Sequence, residues 1–297
     1  MGTVLVGTTS WTDKTLIDCK CFYPRGVNTA EGRLRYYASQ FPIVEVDSSY
    51  YGLPAEHNSV IWTERTPPGF IFHVKAFRLF TQHQTPSEAL PKDLRERLGI
   101  PPKRKLYYRD LPPETIDQLW LRFSRALEPL RASGRLGAIV FQYAPWFVYG
   151  DDSFDHVRQC AQRLPDDVIA VEFRNKSWFG DRTRDRTLEF ERDLKLVHVI
   201  TDEPQGFTNS VEPVWEVTNP NLALVRLHGR NRDTWQRATT TAAERFDYLY
   251  SDDELQTFVA PIRNVATQAA AVHVLFNNCR DDKAQRNAHT LTRLLNV

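Results

Sequence analysis

Polar side chains two positions apart recur at the ends of short apolar runs: Glu45 and Asp47, His73 and Lys75, Glu172 and Arg174, and Arg226, His228 and Arg230. In a strand, residues two apart share a face, so each set projects to one side. Gln142 ends another apolar run, Asp202 follows a sixth in phase with Ile200 and His198, and Asn277, in phase with Leu275, and Asn278 follow the last. Charges gathered at one end of buried strands either pair off as a structural layer or supply an acid, a base and a stabiliser of developing charge. Four carboxylates (Glu45, Asp47, Glu172, Asp202) against three fixed cations (Lys75, Arg174, Arg226) suit both roles. The favoured reading is a ligand site. Glu45, Asp47, Lys75, Glu172, Arg226 and His228 line its reacting centre, and Trp11, Tyr50, Gln142, Arg174, Asp202, Arg230, Asn277 and Asn278 contact substrate. These residue types fit hydrolysis or elimination better than redox chemistry.

Further basic residues cluster in two places. His228-Gly229-Arg230 with Arg232, and Arg280, Lys283 and Arg286 entering the last helix, lie where barrel folds often bind phosphate, so an anionic group is expected there. Lys92, Arg95, Arg97, Lys103, Arg104, Lys105 and Arg109, interleaved with Tyr107 and Tyr108, offer an alternative: a noncatalytic grip on nucleic acid. No cofactor is expected. A divalent metal on His228 with Glu45, Glu172 or Asp202 is the less favoured alternative, since the chain has no H-E-x-x-H pair. His73, His198 and His273 read as inward but deeper, where core histidines with hydrogen-bond partners are the commoner outcome. No G-x-S-x-G elbow marks a nucleophilic serine.

The elements that would position these groups alternate strand and helix. Apolar runs at 4–7, 43–47, 70–75, 138–142, 168–173, 196–201, 222–227 and 271–276 make about eight strands, apolar on both faces. Helical spacing fills 31–40, 56–65, 114–133, 154–163, 181–194, 252–268 and 284–295, and Ser251 is a capping signal ahead of one of them. No G-x-G-x-x-G turn follows a strand, so a closed (β/α)8 barrel is preferred to an open doubly wound sheet. One barrel domain spans 1–297. A proline-rich basic insertion at 78–113 follows the third strand as an excursion over one end of the barrel, and the helix after the sixth is missing or reduced.

The chain has 297 residues, 41% hydrophobic and 25% charged, enough for a large core. A formal charge of +1 provides no global attraction to nucleic acid or membrane, so any electrostatic recognition is local. The expected partner is an anionic small molecule or nucleic-acid fragment. Neither a signal peptide nor a membrane-spanning apolar run is seen, and Cys19, Cys21, Cys160 and Cys279 do not form a disulfide framework, so reduced thiols and a cytoplasmic location are expected.

Several motifs together resemble the YecE-like family, domain of unknown function seventy-two. They are Gly7-Thr8-Thr9-Ser10-Trp11, Phe22-Tyr23-Pro24, Glu45-Val46-Asp47-Ser48-Ser49-Tyr50-Tyr51, Val171-Glu172-Phe173-Arg174 with Trp178, Arg226-Leu227-His228-Gly229-Arg230 and Phe276-Asn277-Asn278. The resemblance covers nearly the whole chain and implies a single β/α barrel, without implying an activity. Two departures stand out: Ser10 replaces the family's usual glycine, and Cys19-Lys20-Cys21 precedes Phe22.

Overall fold

In the computed structural model, which describes residues 1–235 and 242–297, ten strands run in chain order. They are β1 (Thr3–Thr9), β2 (Ile43–Val46), β3 (Ile71–Lys75), β4 (Thr85–Pro86), β5 (Lys105–Leu106), β6 (Leu136–Gln142), β7 (Val168–Glu172), β8 (Val197–Asp202), β9 (Ala223–Leu227) and β10 (Ala271–Phe276). Eight of them close a parallel barrel in the order β1-β10-β9-β8-β7-β6-β3-β2. The short β4 and β5 pair antiparallel inside the insertion. This is the (β/α)8 barrel expected from the alternation of runs.

Side-chain alternation divides the apolar residues into two bodies. Ile43, Ala138, Val140, Ala170, Val197, Val199, Leu224 and Leu275 fill the barrel interior, while a larger set packs the outer faces of the strands under the helices. Every residue of β2, β8 and β9 is buried, as strands covered on both faces require. Helices Ala30–Gln40, Glu56–Glu64, Pro113–Ala132, Asp151–Gln162, Arg184–Asp193, Asp252–Val265 and Lys283–Leu295 form the outer ring. Ser251 and Glu254 form a reciprocal capping box at the start of Asp252–Val265, satisfying backbone N–H groups that the first turn leaves free. No helix separates β8 from β9, as the proline and glycine content of that stretch suggests.

The insertion is anchored by aromatic packing. Phe80, wholly buried, stacks on Trp120 at 3.8 Å, so the segment after β3 is fastened to helix Pro113–Ala132. On the way it crosses the C-terminal mouth of the barrel: Arg78 N–H donates to Tyr50 O, and Ala144 N–H to Thr81 O. That path brings Arg78 and His83 to the mouth. Ser10, at the family's usual glycine position, has a left-handed backbone with φ 65°.

Candidate active site at the barrel mouth

The interior becomes polar toward the C-terminal ends of the strands. Register places Thr9 beside Glu45, Gln142 beside Glu172 and Thr201 beside Arg226. Arg226 is wholly buried and forks: Nη2 donates to Glu45 Oε1 at 2.6 Å, and Nη1 donates to Glu172 Oε2. The other Glu172 oxygen accepts from Gln142 Nε2 at 2.6 Å, His228 Nε2 at 3.0 Å and Arg174 Nη1 at 3.3 Å. Glu45 Oε2, by contrast, has no hydrogen-bond partner among the described residues.

These surroundings set opposite protonation tendencies. Burial alone would raise the Glu172 pKa, but Arg226, helped by His228 and Arg174, overrides it and holds the carboxyl well below its usual range. At Glu45 burial wins over Arg226 and Lys75, and the pKa rises. Burial also pushes the His228 imidazole down to about 4, against the pull of Glu172, so the ring is neutral near pH 7. A neutral ring donating from Nε2 to Glu172 must accept at Nδ1, and Asn277 Nδ2 donates there at 2.8 Å. Asn277 Oδ1 in turn accepts from Thr9 Oγ1 at 2.6 Å, which fixes the tautomer of His228 through a relay of oriented groups.

Above this layer lie the groups nearer solvent. Lys75 Nζ donates to Asp47 Oδ1 at 2.9 Å and stands 4.7 Å from the centre of the Tyr50 ring. Burial works against the Lys75 ammonium, but Asp47 and Glu45 more than restore it, and its pKa is raised. The Asp47 side chain is 27% exposed, whereas those of Glu45, Glu172 and Arg226 are at 0%. Arg174 joins Glu172 to a further carboxylate, Glu203, with Nη2 to Oε2 at 3.2 Å. Burial, opposed by Arg174, pushes Glu203 up to about 7.

The residues expected from sequence separate into two groups. Glu45, Asp47, Lys75, Gln142, Glu172, Arg174, Arg226, His228 and Asn277 form one connected set, and Tyr50 lies against it. Asp202 does not join them. In β8 it is Val197 and Val199 that face the interior, so Asp202 points outward, accepting from Arg230 at 2.8 Å and from Tyr250 Oη at 2.7 Å. His198, on the same outward face, meets Glu191 at 3.2 Å, correcting its inward assignment. Arg230 is thereby committed to Asp202 and Glu254. Asn278 ties Tyr248 O to Asn287, and Trp11 packs edge-on against Trp62 and Phe72; both are built into the wall outside the barrel. The deep pair reads as expected: Ala138 N–H donates to His73 Nδ1, and His73 Nε2 lies 2.8 Å from His273 Nδ1.

Sequence reasoning missed Glu203, Thr9, Arg78, His83 and Arg245. Glu203 was findable, because placing β8 one residue out of phase brings it to the inner face. Arg78 and His83 sit in the loop after β3 and Arg245 ends the short helix Ala242–Arg245, where strand parity carries no signal, and Thr9 ends β1 as an uncharged side chain. Arg280 and Lys283, two of the three cations expected to hold an anion after β10, share one carboxylate, Asp247, and are partly neutralised by it. The ligand set considered for a divalent metal is not assembled: both His228 nitrogens are engaged and Asp202 faces away. Among the described residues no group of three or more His, Cys, Asp or Glu side chains is placed to hold a metal ion. No helix among them is long and apolar enough to cross a membrane.

Fold and cluster together define a β/α-barrel protein with a charged, hydrogen-bonded network at the C-terminal ends of its strands. The chain belongs to the family described as protein of unknown function DUF72, whose sequence profile matches residues 5–297. It is 30% identical over 297 residues to the UPF0759 protein YunF of Bacillus subtilis strain 168, covering 99% of this chain and 95% of that one. Among solved structures it resembles a DUF72 family protein of Enterococcus faecalis V583, with 27% identity, a TM-score of 0.80 and coverage of 99% and 96%. A DUF72 family protein of Thermotoga maritima MSB8 is similar too, with 26% identity, a TM-score of 0.76 and coverage of 99% and 100%.

Proposed function

We propose that this protein is an enzyme, a hydrolase or lyase, that cleaves an anionic substrate by proton transfer at the barrel mouth. One observation carries the reading: an excess of positive charge. Five cations (Lys75, Arg78, Arg174, Arg226, Arg245) gather with four carboxyl groups (Glu45, Asp47, Glu172, Glu203), and burial pushes Glu45 and Glu203 toward their neutral forms. Among the described residues, neither Arg78 nor Arg245 has a carboxylate within ion-pair distance, and the Nε of each is buried without a hydrogen-bond partner. A negatively charged ligand completes such a set.

Exposure supports a division of roles. Asp47 reaches solvent, so it accepts a proton from substrate or from an attacking water. Lys75, held charged beside it, stabilises the negative charge that develops. Glu45, Glu172, Arg226, His228 and Asn277 are buried beneath them and act as positioning residues. The test is turnover of aryl phosphates, sugar phosphates and carboxylate esters by the wild type and by Asp47→Asn. The variant is expected to lose about 10²–10⁴-fold in kcat while still unfolding cooperatively. Full turnover in Asp47→Asn would remove the proposed base.

The alternative, a noncatalytic nucleic-acid-binding barrel, draws less support. Tyr108 packs on Phe80 and accepts from Trp120 Nε1 at 3.0 Å, so one of the two rings meant to stack on bases is committed to the core. Lys92 pairs with Glu96, and neighbouring Asp93 with Arg122, which moderates the basic character of the segment.

A further inference from the structure

Four aromatic rings cross the mouth in a strip. Tyr51 meets Tyr50 at 5.0 Å between centroids, Tyr50 meets His83 at 5.3 Å, and His83 meets Trp146 at 5.8 Å, each pair edge to face. The two ends are open: Tyr51 is 51% and Trp146 55% exposed. Trp146 is nevertheless fixed in orientation, because its Nε1 donates to Gln82 O at 3.0 Å. An exposed indole held rigid is a stacking platform with little entropy left to lose. His83, in the middle, is pushed down to about 3 by burial and by Lys75, Arg78 and Arg174, so it adds a ring without a charge.

Cations lie at one end of this strip. Lys75 and Arg78 sit over Tyr50, at 4.7 and 5.2 Å from its centre, and Arg174 and Arg245 are close enough that Arg174 lowers the Arg245 pKa, after burial. Like charges crowded together are relieved by a multivalent anion. Resting on the enzyme reading above, we infer that the mouth takes a nucleoside phosphate, its base stacked on Trp146, its sugar across His83 and its phosphate among Lys75, Arg78, Arg174 and Arg245. Spacing selects this class. From Trp146 to the cations over Tyr50 is two ring-to-ring steps, which a sugar between base and phosphate spans. An aryl phosphate, with its phosphate joined directly to the ring, is too short. The same chemistry is offered by a free nucleotide and by the phosphorylated end of a single strand.

Calorimetric titration of the full chain with adenosine 5′-monophosphate, inorganic phosphate, adenosine and a short 5′-phosphorylated deoxyadenosine strand tests the assignment. Adenosine monophosphate is expected to bind at least about tenfold more tightly than phosphate or adenosine alone. Trp146→Ala should weaken nucleotide binding about 5- to 150-fold and leave phosphate binding unchanged. Arg78→Ala should weaken both, with partial recovery in Arg78→Lys. Tighter binding of the strand than of the monophosphate identifies a strand end as the ligand, and the reverse order identifies the free nucleotide. Equal affinity for phosphate and nucleotide, or a nucleotide affinity indifferent to Trp146→Ala, overturns the inference while the anionic-substrate reading stands. Absence of binding by phosphate, monophosphate and strand alike in the wild type defeats both.

Discussion

Glu45 and Glu172 share one guanidinium yet play unlike parts, because the number of donors each meets is unlike. Glu172 receives four donor groups and Glu45 one. Glu172→Gln removes the charge that balances Arg226 and Arg174, and breaking a buried pair this way costs about 3–5 kcal/mol. Glu45→Gln replaces a carboxyl already biased toward neutrality and is expected to cost no more than about 1 kcal/mol. Urea unfolding of both variants checks the order, and a larger loss in Glu45→Gln would refute this account of the network. At this scale the sequence was legible at Glu45/Asp47 and Glu172/Arg174, where two polar residues share an inward strand face. It was misleading at Asn277-Asn278, where adjacent identical residues face opposite ways and only the first enters the cluster.

At the scale of elements, alternation of runs revealed every barrel strand, with boundaries displaced by at most two residues. The inner face of β8 was not legible. Val-His-Val-Ile-Thr-Asp is buried throughout, so its pattern lacks the polar–apolar contrast that fixes register, and Asp202 was placed inside in the stead of Glu203. The insertion could be bounded by its prolines, but its anchorage depends on contacts distant in sequence. Phe80→Ala should remove the stack on Trp120, lowering stability by about 3–5 kcal/mol. Hydrogen exchange in that variant should accelerate across residues 78–113 more than in the barrel strands. Uniform acceleration over the whole chain would mean that the insertion is not a separable unit.

For the molecule as a whole, buried titrating groups set an acid limit. His73 is pushed well below its ordinary value, and His228 and His273 to about 4, each by burial first. Their contribution to stability is therefore complete above about pH 6.5, the unfolded value, and declines as pH falls toward 4, by about 1.4 kcal/mol per pH unit for each ring. Glu203, raised to about 7, has the opposite sign: the folded state binds its proton first, so its contribution is lost as pH rises from 4.5 to 7. With His83 and His156 lowered as well, the depressed rings outnumber the two raised carboxyls, Glu45 and Glu203, so the urea midpoint should fall between pH 6.5 and 4.5. Glu203→Gln should make that fall steeper, and a flat profile in both proteins would contradict the buried neutral histidines.

Arg226 also bears on how the chain reaches its native state. During synthesis Glu45 and Glu172 emerge well before the arginine that joins them, so a nascent half-barrel has Lys75 and Arg174 near these carboxylates but lacks the guanidinium that bonds both. Collapse of the early strands is discouraged until β9 arrives, and closure then becomes a concerted event spanning the ring. A fragment ending before residue 226 should accordingly stay expanded, which sedimentation or small-angle scattering can read directly.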